Sequence, residues 1–148
     1  MNLPVLVLVA LLGCTWESQY ILWNSTTGTV LVSYVFVPSY SSPDCGPRIG
    51  EYAPVGRFQS GGFVRDARRA AHREDDDGEH RQRITLQLPA GAALIVCSSS
   101  NDPFDSPPPI ESIQVRGGQS IAVLDSSVAL NAAFQATTFP RRMWKFED

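Results

Sequence analysis

The chain contains few of the side chains that most often carry catalysis or bind metals. Its 148 residues include two His and three Cys, and no two Cys have Cys-x-x-Cys spacing. No Gly-x-Ser-x-Gly segment marks a nucleophile, and no glycine-rich loop of the phosphate-binding type is present. These absences argue against the common hydrolase, nucleotide and structural zinc sites. We therefore expect a protein that is not an enzyme and that uses no cofactor and no metal.

An excess of positive charge is also missing. The 12 Lys and Arg residues are outnumbered by 15 Asp and Glu residues, which gives a net charge of −3. Because phosphate binding needs a positive field, we do not expect nucleic acid to be a partner. The apolar run Leu3–Leu12 is too short for a transmembrane helix, which needs about 20 residues.

The same run has the length of the apolar region of a secretory signal. Leu11-Leu12-Gly13-Cys14 follows at once. This segment resembles the lipobox of bacterial lipoproteins, although Leu12 stands where a smaller residue is more common and the leader has no Lys or Arg. The resemblance implies that residues 1–13 are a signal peptide and that Cys14 is lipidated. It also implies that 14–148 form one domain behind that anchor.

A lipid anchor on Cys14 would make the membrane the first partner of the chain. Two or more acyl groups anchor a protein stably, whereas one binds weakly. By resemblance to enteric lipoproteins, Thr15 in place of Asp favours sorting to the outer membrane of the cell envelope, where an envelope protein is a further expected partner. Two alternatives remain, a plain cleaved secretory signal and a buried N-terminal strand that ends in Cys.

The other two cysteines form an even pair once Cys14 is set aside. An exported domain with two remaining Cys usually joins them, so we predict a disulfide between Cys45 and Cys97. The alternative is two buried thiols in a cytosolic protein.

Short apolar segments separated by turn clusters indicate the fold. We predict an all-β, antiparallel sandwich of about seven to nine short strands, with one short helix within Asp66–Arg83. Ile84–Cys97 and the segments around Gly117-Gly118 are predicted hairpins. Thr29–Val37 is predicted to be a strand that is buried on both faces. The candidate strand segments are 20–23, 29–37, 58–64, 84–88, 92–98, 113–115, 121–124, 132–139 and 143–146.

Three local features invite a functional interpretation. His72–His80 concentrates carboxylates and both histidines, but its alignment to a calcium loop fails, because Arg73 and Ile84 would then be ligands. We predict a solvated charged loop there. Asn24-Ser25-Thr26 matches the acceptor pattern for N-glycosylation, which matters only in a eukaryotic source. The aromatic residues predicted to fill the core rather than form a binding face are Trp16, Trp23, Trp144, Tyr20, Tyr34 and Tyr40.

The sequence therefore supports three functional hypotheses in descending order. The first is a non-enzymatic envelope lipoprotein that acts as a structural or adaptor module. The second is a module that binds a small ligand or a cation through the acidic run or the loop Asp102–Pro109. The third is a small hydrolase.

Overall fold

Ten strands and one short helix make up the described part of the chain. The structure is a computed structural model that describes residues 17–37, 45–51, 72–76, 81–100, 107–137 and 141–147. The elements are β1 Glu17–Asn24, β2 Val30–Phe36, β3 Arg48–Glu51, β4 His72–Asp76, β5 Arg81–Leu88, β6 Ala92–Ser100, β7 Ser112–Gly117, β8 Ser120–Leu124, α1 Ser127–Ala133, β9 Gln135–Ala136 and β10 Arg141–Phe146.

These strands form two five-stranded sheets. Sheet I has the order β3-β6-β1-β10-β9, and sheet II has the order β4-β5-β2-β7-β8. All neighbours are antiparallel except β1 and β10, which run parallel. The predicted all-β sandwich with one short helix is confirmed, and the parallel pair is the exception to its antiparallel order.

The main core lies between the inner faces of the two sheets. Alternate residues of β1 and β2 point into it, as the period-2 pattern of a strand requires. Tyr20 and Phe134 meet edge to face, with ring centroids 6.1 Å apart, so the end of α1 also closes this core. Its largest fully buried side chains include Tyr20, Tyr34, Phe134, Leu22, Ile84, Leu88, Leu94, Ile113, Leu130, Val30 and Val32.

Sheet I is buried on its outer face as well. Ile21, Ala93 and Ile95 point away from the main core, yet they form a second buried cluster with Trp23 and Met143 packed against it. The sequence predicted such double burial for Thr29–Val37 instead. That prediction is wrong for the outward side chain of Leu31, which is 41% exposed in β2.

The predicted hairpin over Ile84–Cys97 is wrong, because its two strands belong to different sheets. β5 pairs with β4 and β2, whereas β6 pairs with β1 and β3. The turn at Pro89–Gly91 therefore carries the chain from one sheet to the other. Gly91 has a φ of +72°, the left-handed region that glycine adopts without strain.

The second predicted hairpin is confirmed. β7 and β8 pair in register from Ile113–Leu124 to Gly117–Ser120, and residues 118–119 make the turn between them. Gly117 allows a close approach, since a Cβ there would stand 2.5 Å from Cγ1 of Val30.

The alanines on which the predicted helix depends, at positions 67, 70 and 71, lie outside the described residues. Within Asp66–Arg83 the structure describes His72–Asp76, which is strand β4, and 81–83, which begin β5. The described residues also contain the helix α1, which the sequence did not predict. Ser126 caps its first turn, because its hydroxyl accepts a hydrogen bond from the Ala129 amide at 3.3 Å.

Candidate functional site

The predicted anchor residue, Cys14, lies outside the described residues, but the place where its chain enters the domain is defined. β1 begins at Glu17, three residues after Cys14. A fully extended chain spans at most about 3.6 Å per residue, so three residues can span no more than roughly 11 Å. Any anchor at Cys14 would therefore hold the start of β1 close to the membrane.

The start of β1 lies at one end of sheet I, which we call the entry end. There Glu17 is paired with Ser100 of β6, and Gln19 is paired with Arg141 of β10. Arg48, at the start of β3, donates a hydrogen bond from its Nη2 to the Ser98 hydroxyl.

Arg142 anchors α1 to this end of sheet I. Its side chain is buried, and its Nη2 donates to the Asn131 carbonyl at 3.2 Å. Arg141 and Arg142 lie in β10, which pairs with β1, and Arg48 lies in β3, on the far side of β6 from β1. Strand pairing and side-chain hydrogen bonds thus hold the entry end in place.

The predicted disulfide is present between Cys45 and Cys97. Their Cα atoms are 3.9 Å apart, below the limit of about 7 Å for such a bond, and 52 positions separate the residues along the chain. Both cysteines are buried in the main core. The Tyr34 hydroxyl donates to the Cys45 carbonyl at 2.9 Å, so a second contact holds the segment before β3 against sheet II.

Asn24 lies at the opposite end of β1 and hydrogen-bonds backbone carbonyls of the turn after β1 and of the turn between β5 and β6. We call this arrangement the Asn24 corner. Its Nδ2 donates to the carbonyls of Gly28, Leu88 and Pro89 at 2.8, 3.0 and 3.0 Å. Its Oδ1 accepts from the amide and the hydroxyl of Thr26 at 3.1 and 2.7 Å. Sequence reasoning missed this role, although an Asn followed by Ser-Thr-Thr-Gly is typical of a turn whose side chain bonds its own backbone.

The same geometry removes Asn24 as a glycan acceptor in the folded chain. The residue is 0% exposed, and its amide nitrogen already contacts three carbonyl oxygens. The match to the N-glycosylation pattern therefore reflects a structural corner.

The described part of the charged segment is strand β4, at the edge of sheet II. His72 is exposed at the edge of sheet II, where β4 pairs with β5, and His80 lies outside the described residues. No group of three or more His, Cys, Asp or Glu side chains suited to a metal ion occurs in the described ranges. Nearby, Arg81 forms an ion pair with Glu111 at 3.2 Å, with both side chains about two-fifths exposed, so its contribution to stability is small.

The aromatic side chains that the structure describes belong mainly to the core. Tyr20 and Tyr34 are fully buried, and Trp144 packs edge to face on Phe134 and Phe146 at 5.9 and 6.3 Å. Trp23 lies on the outer face of sheet I, where the Lys145 ammonium stands 5.2 Å from its ring centroid. Trp16 and Tyr40 lie outside the described residues.

Comparisons with known proteins do not assign the chain to a family. No family model, curated protein or solved structure matches the chain. None of the helices in the described part is both long enough and apolar enough to cross a membrane.

Proposed function

We propose that this chain is an exported lipoprotein, held at a membrane of the cell envelope by acyl groups on Cys14, and that its β domain acts as a structural or adaptor module. The observation that carries the proposal is the lipobox-like segment Leu11-Leu12-Gly13-Cys14, which begins with the last two residues of the apolar run Leu3–Leu12. Thr15, which follows the acylated position, favours the outer membrane.

The disulfide supports export. Structural disulfides form and persist in oxidising compartments and are rare in the cytosol. The pair Cys45 and Cys97 is buried in the main core and lies within bonding distance, so the fold accommodates the bond. Cys14 is then the one cysteine left over for acylation.

The position of β1 supports a module that works close to its membrane. The two residues between the proposed anchor and β1 leave little freedom of reach, so the entry end of sheet I would face the lipid surface. The Asn24 corner at the other end of β1 and the lateral edges of both sheets would then face neighbouring proteins. A rigid, closely held domain of this kind suits assembly with envelope partners better than capture of distant ligands.

Labelling with fatty acid tests the anchor. A bacterial host that expresses the full chain and is fed labelled palmitate should incorporate label into the wild type, and Cys14→Ser should abolish the label and release the protein from membranes. Thr15→Ser is the matched control, because it changes a neighbouring hydroxyl residue and leaves the thiol. An unlabelled wild type, or a label that persists in Cys14→Ser, contradicts the proposal.

Crosslinking in intact cells tests the adaptor role separately. If the domain is an adaptor, an envelope protein should be crosslinked to the wild type, and the crosslink should be lost when Cys14→Ser leaves the membrane. A labelled, membrane-bound protein without any crosslinked partner would support the anchor and contradict the adaptor role.

A further inference from the structure

The edges of the two sheets differ in how well they resist pairing with another strand. Among the described strands, β3 and β9 are the edges of sheet I, and β4 and β8 are the edges of sheet II. Exposed edges invite edge-to-edge association, and proteins usually protect them with charges, with proline or by keeping them short. Three of these four edges have such protection.

The three protected edges are protected in different ways, by charged residues or by short length. β4 has the sequence His-Arg-Glu-Asp-Asp, with an ionisable residue at every position. β9 is two residues long, too short to offer a useful ladder. β3 has four residues, with Arg48 and Glu51 at its ends.

The remaining edge, β8, has none of these devices. Its sequence Ser-Ile-Ala-Val-Leu contains no charge and no proline, and it pairs with β7 through five consecutive residues without a bulge. Ile121 and Val123 point away from the core and are 59% and 55% exposed. β8 is therefore a regular edge strand with an apolar outward face.

The apolar face of β8 continues across the outer surface of sheet II. Ile121 is paired with Arg116 of β7, which is paired with Leu31 of β2. Leu31 is 41% exposed, so two apolar side chains flank the aliphatic stem of one arginine. This row, with Val123 beside it, makes a patch that ends at the open edge.

We propose that β8 pairs antiparallel with β8 of a second copy of this chain about a two-fold axis at Ala122, joining the two copies of sheet II into one continuous sheet. This register places Ile121 opposite Val123 of the second copy, and Val123 opposite its Ile121. Apolar cross-strand pairs of this kind stabilise a sheet. The pattern is self-complementary, as a two-fold interface requires.

Charge favours a second copy as the occupant of this edge. The strand has no charged residue with which to select a charged peptide, and a symmetric pairing brings no like charges into contact. The two Arg116 residues would stand three strand spacings apart, about 14 Å, which exceeds the screening length of about 8 Å at physiological salt.

Light scattering on the purified full chain in mild detergent tests the proposal. The wild type should have twice the mass of one chain, and Val123→Lys should halve it, because a charge would be placed against Ile121 of the second copy. Val128→Lys is the matched control, since Val128 is 79% exposed but lies on α1. A monomeric wild type, or a dimer that Val123→Lys leaves intact, overturns the proposal. Crosslinking of β8 to a different protein in cells would overturn it as well.

Cysteine crosslinking in intact cells tests the register and does not depend on detergent. The double variant Ile121→Cys with Val123→Cys places thiols opposite each other across the two-fold axis and should form a disulfide-linked dimer on mild oxidation. Each single variant should not, because its thiol then faces a side chain without sulfur. Crosslinking of the single variants to the same extent contradicts the proposed register.

Discussion

At the scale of single residues, two buried side chains each hold a connecting segment of the chain in place. Asn24 binds the carbonyls at the point where the chain passes from β5 to β6, and Cys97 binds the segment before β3 through its disulfide. Both act between parts of the chain that are distant in sequence. Their replacement should therefore affect the whole fold rather than one turn.

Asn24→Asp should lower the free energy of unfolding by about 3 kcal/mol or more at neutral pH. The substitution removes the amide donor and places a carboxylate against three carbonyl oxygens in a fully buried site. Asn131→Asp is the matched control because Asn131 is exposed on α1, and its effect should be about 0.5 kcal/mol or less. Urea unfolding of both variants measures the difference; equal midpoints would contradict the role of the corner.

Cys97→Ser should lower the free energy of unfolding by about 2–5 kcal/mol, the range found when a native disulfide is removed. The closed loop is long, with 52 positions between the cysteines, so the unfolded state gains considerable freedom when the bond is absent. Thermal unfolding with and without a reductant measures the effect. The reductant should lower the Tm of the wild type and leave that of Cys97→Ser unchanged, and a wild type that is insensitive to full reduction would argue against the bond.

At the scale of elements, β4 shows that a segment dense in charged residues can form a strand at the edge of a sheet. Its five residues pair with β5 from His72–Thr85 to Asp76–Arg81. The alanines that favour a helix in this region, at positions 67, 70 and 71, precede β4 and lie outside the described residues. Pairing with β5, whose inward residues Ile84 and Leu86 are buried, gives His72–Asp76 its extended conformation.

Replacing Asp75, Asp76 and Asp77 together with Ser should change the Tm only slightly, and calcium should not alter the Tm of either protein. Surface changes away from special features usually cost less than about 0.5 kcal/mol, and the run lacks the ligand spacing of a calcium loop. Scanning calorimetry with calcium and with a chelator measures both effects. A large calcium-dependent rise in the Tm of the wild type would refute the interpretation as a solvated charged segment.

The sequence allows the strands to be predicted more reliably than their partners. Alternating apolar residues identify β5, a nearly continuous apolar run identifies β2, and Gly117-Gly118 identifies the hairpin of β7 and β8. The sequence pattern of the turn at Pro89–Gly91 is the same whether the chain folds back within one sheet or crosses to the facing sheet. The pairing of β6 could therefore not be predicted. The parallel neighbour β10 is distant in sequence from β1, and no local pattern reports it.

The helix was missed for a related reason. α1 has seven residues, fewer than the 12 to 15 that an isolated helix needs to be stable, so its helicity depends on packing. Leu130 and the following Phe134 provide that packing in the main core. Ser126 as a cap was the available local signal. Of the candidate site, the disulfide could be predicted by counting cysteines, whereas the Asn24 corner depends on carbonyls contributed by distant residues.

At the scale of the whole molecule, the proposed anchor would give the sandwich a defined direction relative to a membrane. β1 begins at Glu17, close behind the proposed anchor, and the disulfide and the two-layer core hold the described strands together. The unprotected edge β8 lies on sheet II, the sheet that does not contain the entry strand. Anchoring and edge pairing would thus use separate parts of the molecule.

Mass spectrometry of the N-terminal peptide of the membrane-extracted protein tests the anchor most directly. We expect a peptide that begins at Cys14 and carries a diacylglycerol on its thiol, so that residues 1–13 are absent and the mass increases by that of the lipid. A peptide that begins at Met1 with an unmodified Cys14, or a chain cut at another position without lipid, would contradict the central claim that this protein is a lipid-anchored module.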